Sequence, residues 1–182
     1  EPLNFGLLLL MACGWMPIVA GGPCNTMAVI VLFTMFLLRE IEGSLAEVGH
    51  IQLDHNQATV TWALPASKTD PQARGCTRSW GCTCVSPSSP TQECPYHTMS
   101  QHVACLGQRF GDAATSGEFP LVPDVNGDFV QAERMVNLVD ELATRCGEPL
   151  EDKLGQRRFG EHSFRIMGAV YLSALGTELL KT

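Results

Sequence analysis

His162-Ser163-Phe164-Arg165 sets an imidazole and a guanidinium three residues apart, at the opening of an apolar run that ends at Gly176. Three apart on a helix, the two side chains project from one face. Phe164, Gly168, Tyr171, Leu172 and Leu175 recur at helical spacing on another stripe. Burying that stripe would leave the cation and the imidazole aimed at one point. A guanidinium fork grips phosphate oxygens and an imidazole moves protons near neutral pH, so the pair suits phosphate chemistry. H-x-x-R equally describes two polar residues on a solvated helix face, so its weight depends on what precedes it.

A second set of reactive side chains lies within 74–97, a stretch rich in Cys, Ser, Pro and Gly that reads as an insertion. Of the cysteines at 13, 24, 76, 82, 84, 94, 105 and 146, Cys82-Thr83-Cys84 and Cys94-Pro95-Tyr96-His97 form a C-x-C…C-x-x-H set, with Cys76 and His102 as spares. Three thiolates and one imidazole make a closed tetrahedral shell for structural zinc. The insertion has little apolar content, so a metal would give it a reason to be ordered. Free or disulfide-bonded cysteines are the competing state of the same residues. Asp124-Val125-Asn126-Gly127-Asp128 looks like the start of a calcium loop, but its Gly falls at the fourth position and Met135 stands where the bidentate Glu belongs, so a turn is expected.

The elements that must position these residues follow from patterning. At 182 residues, 45% apolar and 17% charged, the chain fits one domain with a real core. A net charge of −7 excludes a surface that binds polyanions everywhere, so any nucleic-acid contact must be a local cleft. No charged residue occurs from Pro2 to Leu38, yet Gly6, Gly14, Pro17 and Gly21-Gly22-Pro23 interrupt the first apolar run, and the second, Met27 to Leu38, has 12 residues. Neither reaches the ~20 residues of a membrane span, so buried helices are expected and no membrane partner. No basic residues precede the first run, as a signal peptide would require. The chain begins at Glu1 and stops at Thr182 without an evident signal, so a piece of a longer protein is expected.

Residues 58–64 carry the β-branched and aromatic enrichment of a strand; 50–54 would pair with it through a turn at 55–57, and 76–80 could return beside it. Met99, Val103, Leu106 and Phe110 predict a helix over 99–110. A loop over 119–128 precedes a second helix, which Asp128 could cap, with an apolar face of Met135, Val136, Val139, Leu142, Ala143 and Cys146. The expected class is α+β, mainly α, with one small antiparallel sheet.

Three elements then align in order. Leu38-Arg39-Glu40-Ile41-Glu42 closes an apolar helix with R-x-x-E, Ser67-Lys68-Thr69-Asp70 follows a strand, and H-x-x-R comes last after the 119–127 loop and the helix at about 130–146. This series resembles the catalytic domain of the tyrosine recombinases, the phage integrase family, over roughly residues 26–176 apart from the insertion. The resemblance implies DNA breaking and rejoining through a 3′-phosphotyrosyl bond, with double-stranded DNA as partner, self-association on it, and no cofactor for the chemistry. It implies intracellular work, nuclear in a eukaryote. Arg39 and Arg165 match the arginines that meet the non-bridging oxygens. Lys68 matches the hairpin general acid for the leaving 5′-oxygen, His162 the imidazole that assists proton transfer, and Glu42 a supporting acid.

The sequence departs from the family in two ways. The family's further His or Trp and its nucleophilic Tyr lie further on than the 17 residues that follow Arg165. Tyr96 and Tyr171, the two tyrosines present, match neither, and Tyr171 falls on the apolar stripe. The acidic net charge also differs from a DNA-wrapping surface, although Lys68, Arg74, Arg78, Arg157, Arg158 and Arg165 could line one cleft. Taken singly, Arg39 could cap a helix end, Lys68 could be a turn residue, and His162 and Arg165 could pair with Glu161. A degenerate DNA-interaction domain and a zinc-stabilised interaction module are therefore the competing functions.

Overall fold

The computed structural model describes residues 3–12, 14–64, 75–86 and 89–176, which form an α+β structure that is mainly α. The first apolar run is helical only over α1, Phe5–Met11, where the Asn4 side chain accepts from the Leu7 N–H at 3.0 Å. The second forms α2, Thr26–Met35, whose residues are buried all round except for the half-buried Met27. A helix apolar on every side belongs at the centre of a core, and α2 packs on α1, on α4 (Pro95–Phe110) and on α6 (Ser163–Ala174). A Cβ at Gly168 would lie 2.1 Å from the Thr34 carbonyl oxygen, so the glycine lets α6 sit directly on α2. Among the described residues no helix is long and apolar enough to cross a membrane.

The small sheet lies at the C-terminal end of α2. Strands β1 (Ile51–Asp54), β2 (Thr59–Leu64) and β3 (Cys76–Gly81) are antiparallel in the order β1-β2-β3, with Ile51 opposite Trp62 and Trp62 opposite Arg78. Val60, Trp62 and Leu64 alternate inward, the period-2 pattern of a half-covered sheet. The ring of Trp62 meets Phe36 and Phe33 edge-on, with centroids 5.3 and 6.5 Å away. Asp54 Oδ1 accepts from the N–H groups of Asn56 and Gln57, and this closes the expected turn.

Four expectations need correction. Helix α4 starts at Pro95, earlier than its apolar spacing shows, because proline lacks only an N–H that the first turn leaves unpaired anyway. Asp128 does not cap the next helix. That helix, α5, runs Ala132–Arg145 behind Gln131, while the Asp128 N–H donates back to Asp124 Oδ1 in the turn. The α5 face buries Met135, Leu138, Val139, Leu142 and Ala143, and Val136 and Cys146 reach only its edge. Leu175 is 63% exposed because it already caps α6 and leaves the stripe.

His102 ties the helices together. Asn25 Oδ1 accepts from the Ala28 N–H at 3.1 Å, and its amide nitrogen, which can only donate, sits 2.9 Å from His102 Nδ1. Nδ1 is therefore the acceptor, and Nε2 carries the proton donated to the Leu121 carbonyl at 2.7 Å. Trp15 stacks on the ring at 5.4 Å. Burial lowers the imidazole pKa to about 4 despite the Leu121 carbonyl, which favours the charged form. This stabilising contribution is full above the unfolded value near 6.5 and is lost as pH falls through 4. His102→Ala should lower unfolding free energy at pH 7 by about 3 kcal/mol, and chemical denaturation at pH 7 and pH 4.5 should show a smaller deficit at the lower pH.

Candidate functional site

A helix leaves its last four carbonyls without intrahelical partners, and those of α2 point into the protein. The Leu38 N–H reaches back to the Phe33 carbonyl at 2.9 Å, with Leu37 left-handed at φ 53°. Glycine ordinarily takes that place in this type of helix end, and a leucine there costs about 1–2 kcal/mol. The Leu32 and Thr34 carbonyls likewise accept from the Phe36 and Leu37 N–H groups, and side chains from far along the chain meet the next three oxygens. Trp80 Nε1 donates to the Met35 carbonyl at 2.8 Å. Arg78 Nη1 donates to the Phe36 carbonyl and, at 3.0 Å, to that of Leu37. Arg165 Nε donates to the same Leu37 oxygen at 2.7 Å. Two guanidinium groups thus share one carbonyl.

Glu42 draws in the rest of the cluster. It lies on the short helix α3, Glu40–Ser44, and its Oε2 accepts from the Arg39 backbone N–H at 2.9 Å. Arg165 Nη2 donates to both Glu42 oxygens, at 3.1 and 2.9 Å. Arg39 and Arg165, 126 positions apart in sequence, are therefore neighbours across one carboxylate. The Glu42 side chain is 7% exposed and that of Arg165 is 28%, a partly buried pair in which each charge depends on the other. The buried Arg39 Nε has no hydrogen-bond partner among the described residues. The Arg78 and Arg165 guanidiniums thus meet at the Leu37 carbonyl, and Arg165 also grips the carboxylate that holds the Arg39 backbone.

His162 is not part of the helical face expected for it. It is the N-cap residue of α6, with φ −118° and ψ 3°, and it is exposed. It therefore precedes the first helical residue, Ser163. Lys68, along with Arg74, lies outside the described residues. Arg157 and Arg158 do not line the cluster as free cations: Arg157 pairs with Asp140, and Arg158 with Glu148 at 3.0 Å. Tyr171 packs edge-on against Phe5 at 4.6 Å, and the Tyr96 hydroxyl lies 3.0 Å from His55 Nδ1.

Sequence reasoning passed over Glu40. It is fully buried beside the start of α6, and neither carboxylate oxygen has a partner at bonding geometry among the described residues. Burial drives its pKa up to about 7, against the N–H groups of Glu40, Phe164 and Ser163, and Glu161 adds to the rise. The roles of Arg78 and Trp80 were also hidden, although their i, i+2 spacing in a strand pattern puts them on one face.

The second cluster is the Cys/His set. Cys82, Cys84, Cys94 and His97 bring their ligand atoms within 4.8 Å of one another and could hold a metal ion. His97 Nδ1 stands 3.6, 3.4 and 3.2 Å from the sulfurs of Cys82, Cys84 and Cys94, and the Cys82 and Cys94 sulfurs are 3.8 Å apart. Backbone N–H groups point at the sulfurs: Thr83 at Cys94, Cys84 at Cys82 and Thr91 at Cys84, at 3.5, 3.4 and 3.3 Å. Such donors favour thiolate, the metal-binding form. Burial would raise the Cys94 pKa, but hydrogen bonds from His97 and Thr83 outweigh it and lower the value to about 6. Cys76, exposed, and His102, buried in its own network, stay outside the set.

Compared with protein-family models and with curated proteins, the chain matches none.

Two outcomes are expected. Glu40 is favoured protonated in the folded state, so its contribution is full below pH 4.5 and lost as pH rises through 7. Glu40→Gln should therefore raise unfolding free energy at pH 8 by about 3 kcal/mol and leave it little changed at pH 4.5, as read by denaturant titration. Arg165→Ala strands the buried Glu42 charge and should cost about 3 kcal/mol, whereas the double variant Arg165→Met/Glu42→Leu should recover most of that loss.

Proposed function

We propose that the chain is a DNA breaking-and-rejoining domain of the tyrosine-recombinase type, steadied by structural zinc. The observation that carries the reading is the buried, unpartnered Nε of Arg39 beside the Arg165–Glu42 pair. A buried guanidinium nitrogen without a partner is costly, and a phosphodiester oxygen would supply that partner. In this reading Arg39 and Arg165 hold the non-bridging oxygens, Glu42 orients Arg165, Lys68 protonates the leaving 5′-oxygen and His162 assists. The fourfold Cys/His set supports zinc as the metal. Tetrahedral ligands at Zn–S and Zn–N bond lengths stand about 3.5–3.8 Å apart; His97 Nδ1 lies 3.2–3.6 Å from the three sulfurs, Cys82 and Cys94 are 3.8 Å apart, and the whole set lies within 4.8 Å. Four protein ligands leave no open position, so this metal would be structural and remote from the phosphate.

A non-catalytic DNA-interaction domain is the second reading. The bonds of Arg78 and Arg165 to the Leu37 carbonyl, just past α2, favour it, because donors already engaged in the fold are less free to follow a transition state. The two readings part on chemistry, and both require phosphate contact.

Arg39→Met is the discriminating variant. It should hold or raise thermal stability, since it removes an unpaired buried donor, while weakening duplex-DNA binding about tenfold. DNA affinity should fall with salt at a log–log slope of about −3 if three cations meet phosphates. Unchanged affinity in Arg39→Met would remove the phosphate clamp from the proposal. Residues 1–182 should not attach covalently to a nicked duplex, because Tyr171 packs against Phe5 and Tyr96 bonds to His55. Elemental analysis should find one zinc per chain, lost in Cys94→Ser.

A further inference from the structure

The metal cluster follows directly on β3, and that continuity gives it a second task. Alternate residues of this segment divide the work: Arg78 and Trp80 donate to the carbonyls at the end of α2, and Cys82 and Cys84 enter the cluster. β3 is an edge strand, paired on one side only, with Thr77, Ser79 and Gly81 exposed. Trp80 is its one large apolar side chain, so burial alone gives this strand little hold. The other half of the cluster sits on a rigid support. Cys94 caps α4 and His97 lies in its first turn. Met99, His102 and Leu106 of α4 are buried, and His102 bonds to Asn25 at the start of α2. A metal held by all four ligands would therefore tie β3 to a helix already anchored at the opposite end of α2.

We propose that the metal site is a brace for the arginine cluster: its occupancy holds Arg78 and Trp80 on the carbonyl end of α2 and so sets the position of the donors around Leu37. This rests on the metal reading above and does not require the recombinase chemistry. Without the ion, three sulfurs and an imidazole at these distances have little to attract them to one another, and as thiolates they repel. The end of β3 would then lose its tie to the Cys94–His97 half of the cluster. Coupling is reciprocal by linkage, so loosening Arg78 or Trp80 must weaken the metal as much as losing the metal loosens them.

The test uses the whole 182-residue chain, with zinc ion as the probe. Zinc affinity is measured by competition with a chromophoric chelator for the parent chain and for Trp80→Phe, Arg78→Gln, Ser79→Ala and Leu138→Ala. Ser79 points away from α2, its hydroxyl 2.8 Å from that of Thr61. Leu138→Ala removes a buried side chain of α5 and serves as a general loss of stability. Trp80→Phe and Arg78→Gln should each lower zinc affinity about fivefold or more. Ser79→Ala should leave it unchanged, and Leu138→Ala should lower it less than either. Hydrogen exchange with and without chelator should show faster exchange over 36–42 and 76–81 on zinc removal. Zinc bound one to one with equal losses in Leu138→Ala, Trp80→Phe and Arg78→Gln would overturn the brace and leave the zinc site standing. Failure to bind zinc at all would overturn the metal reading beneath it.

Discussion

The termination of α2 is the constraint on which the rest of the structure depends. A fully buried helix cannot hand its last carbonyls to water, so the protein must bring donors to them. Trp80 and Arg78 come from the edge of the sheet and Arg165 from the final helix. These three contacts fix where β3 and α6 can lie. The positive charge they bring suits the negative end of the helix dipole. A cationic cluster on an acidic chain thus follows from stopping an apolar helix inside a core. Any phosphate chemistry there would use donors that the fold has already assembled.

The same site holds two carboxylates with opposite fates. Glu42 is ionised usefully, since it neutralises Arg165 and caps the backbone at Arg39. Glu40, two residues earlier, is buried without such a partner, and its charge is a burden near neutral pH. His102, at the other end of α2, titrates in the opposing sense. Between pH 4.5 and 6.5, acid relieves Glu40 while it strains His102, so the two contributions largely cancel in the whole protein. Neither would be conspicuous in the stability of the intact chain, and each becomes visible when the other is replaced.

The sheet has three short strands and a covering on one face only, a scale at which strands hold together weakly. It borrows order from α2 through aromatic packing by Trp62 and through the donors on β3. The Cys/His cluster stands where that order would otherwise run out, at the junction of the edge strand and α4. Backbone N–H groups of Thr83, Cys84 and Thr91 point at its sulfurs.

Much of this was legible from residue order because it depends on local rules. The apolar continuity of Thr26–Met35, the alternation in β2 and the amphipathic face of α5 each reflect a period that any chain obeys. The C-x-C…C-x-x-H set was readable because metal ligands must be close, and short spacings make them so. That Glu42 would join the Arg39 backbone to the Arg165 side chain was not readable from spacing, because Glu42 is three residues from one and 123 from the other. Spacing also misjudged His162, since a helix face exists only where the helix has begun. The sharing of Leu37's carbonyl by Arg78 and Arg165, and the burial of Glu40, were decided by tertiary structure alone. Which donor reaches an orphaned carbonyl, and which carboxyl loses its water, depend on what packs beside them, and no local period of the sequence carries that information.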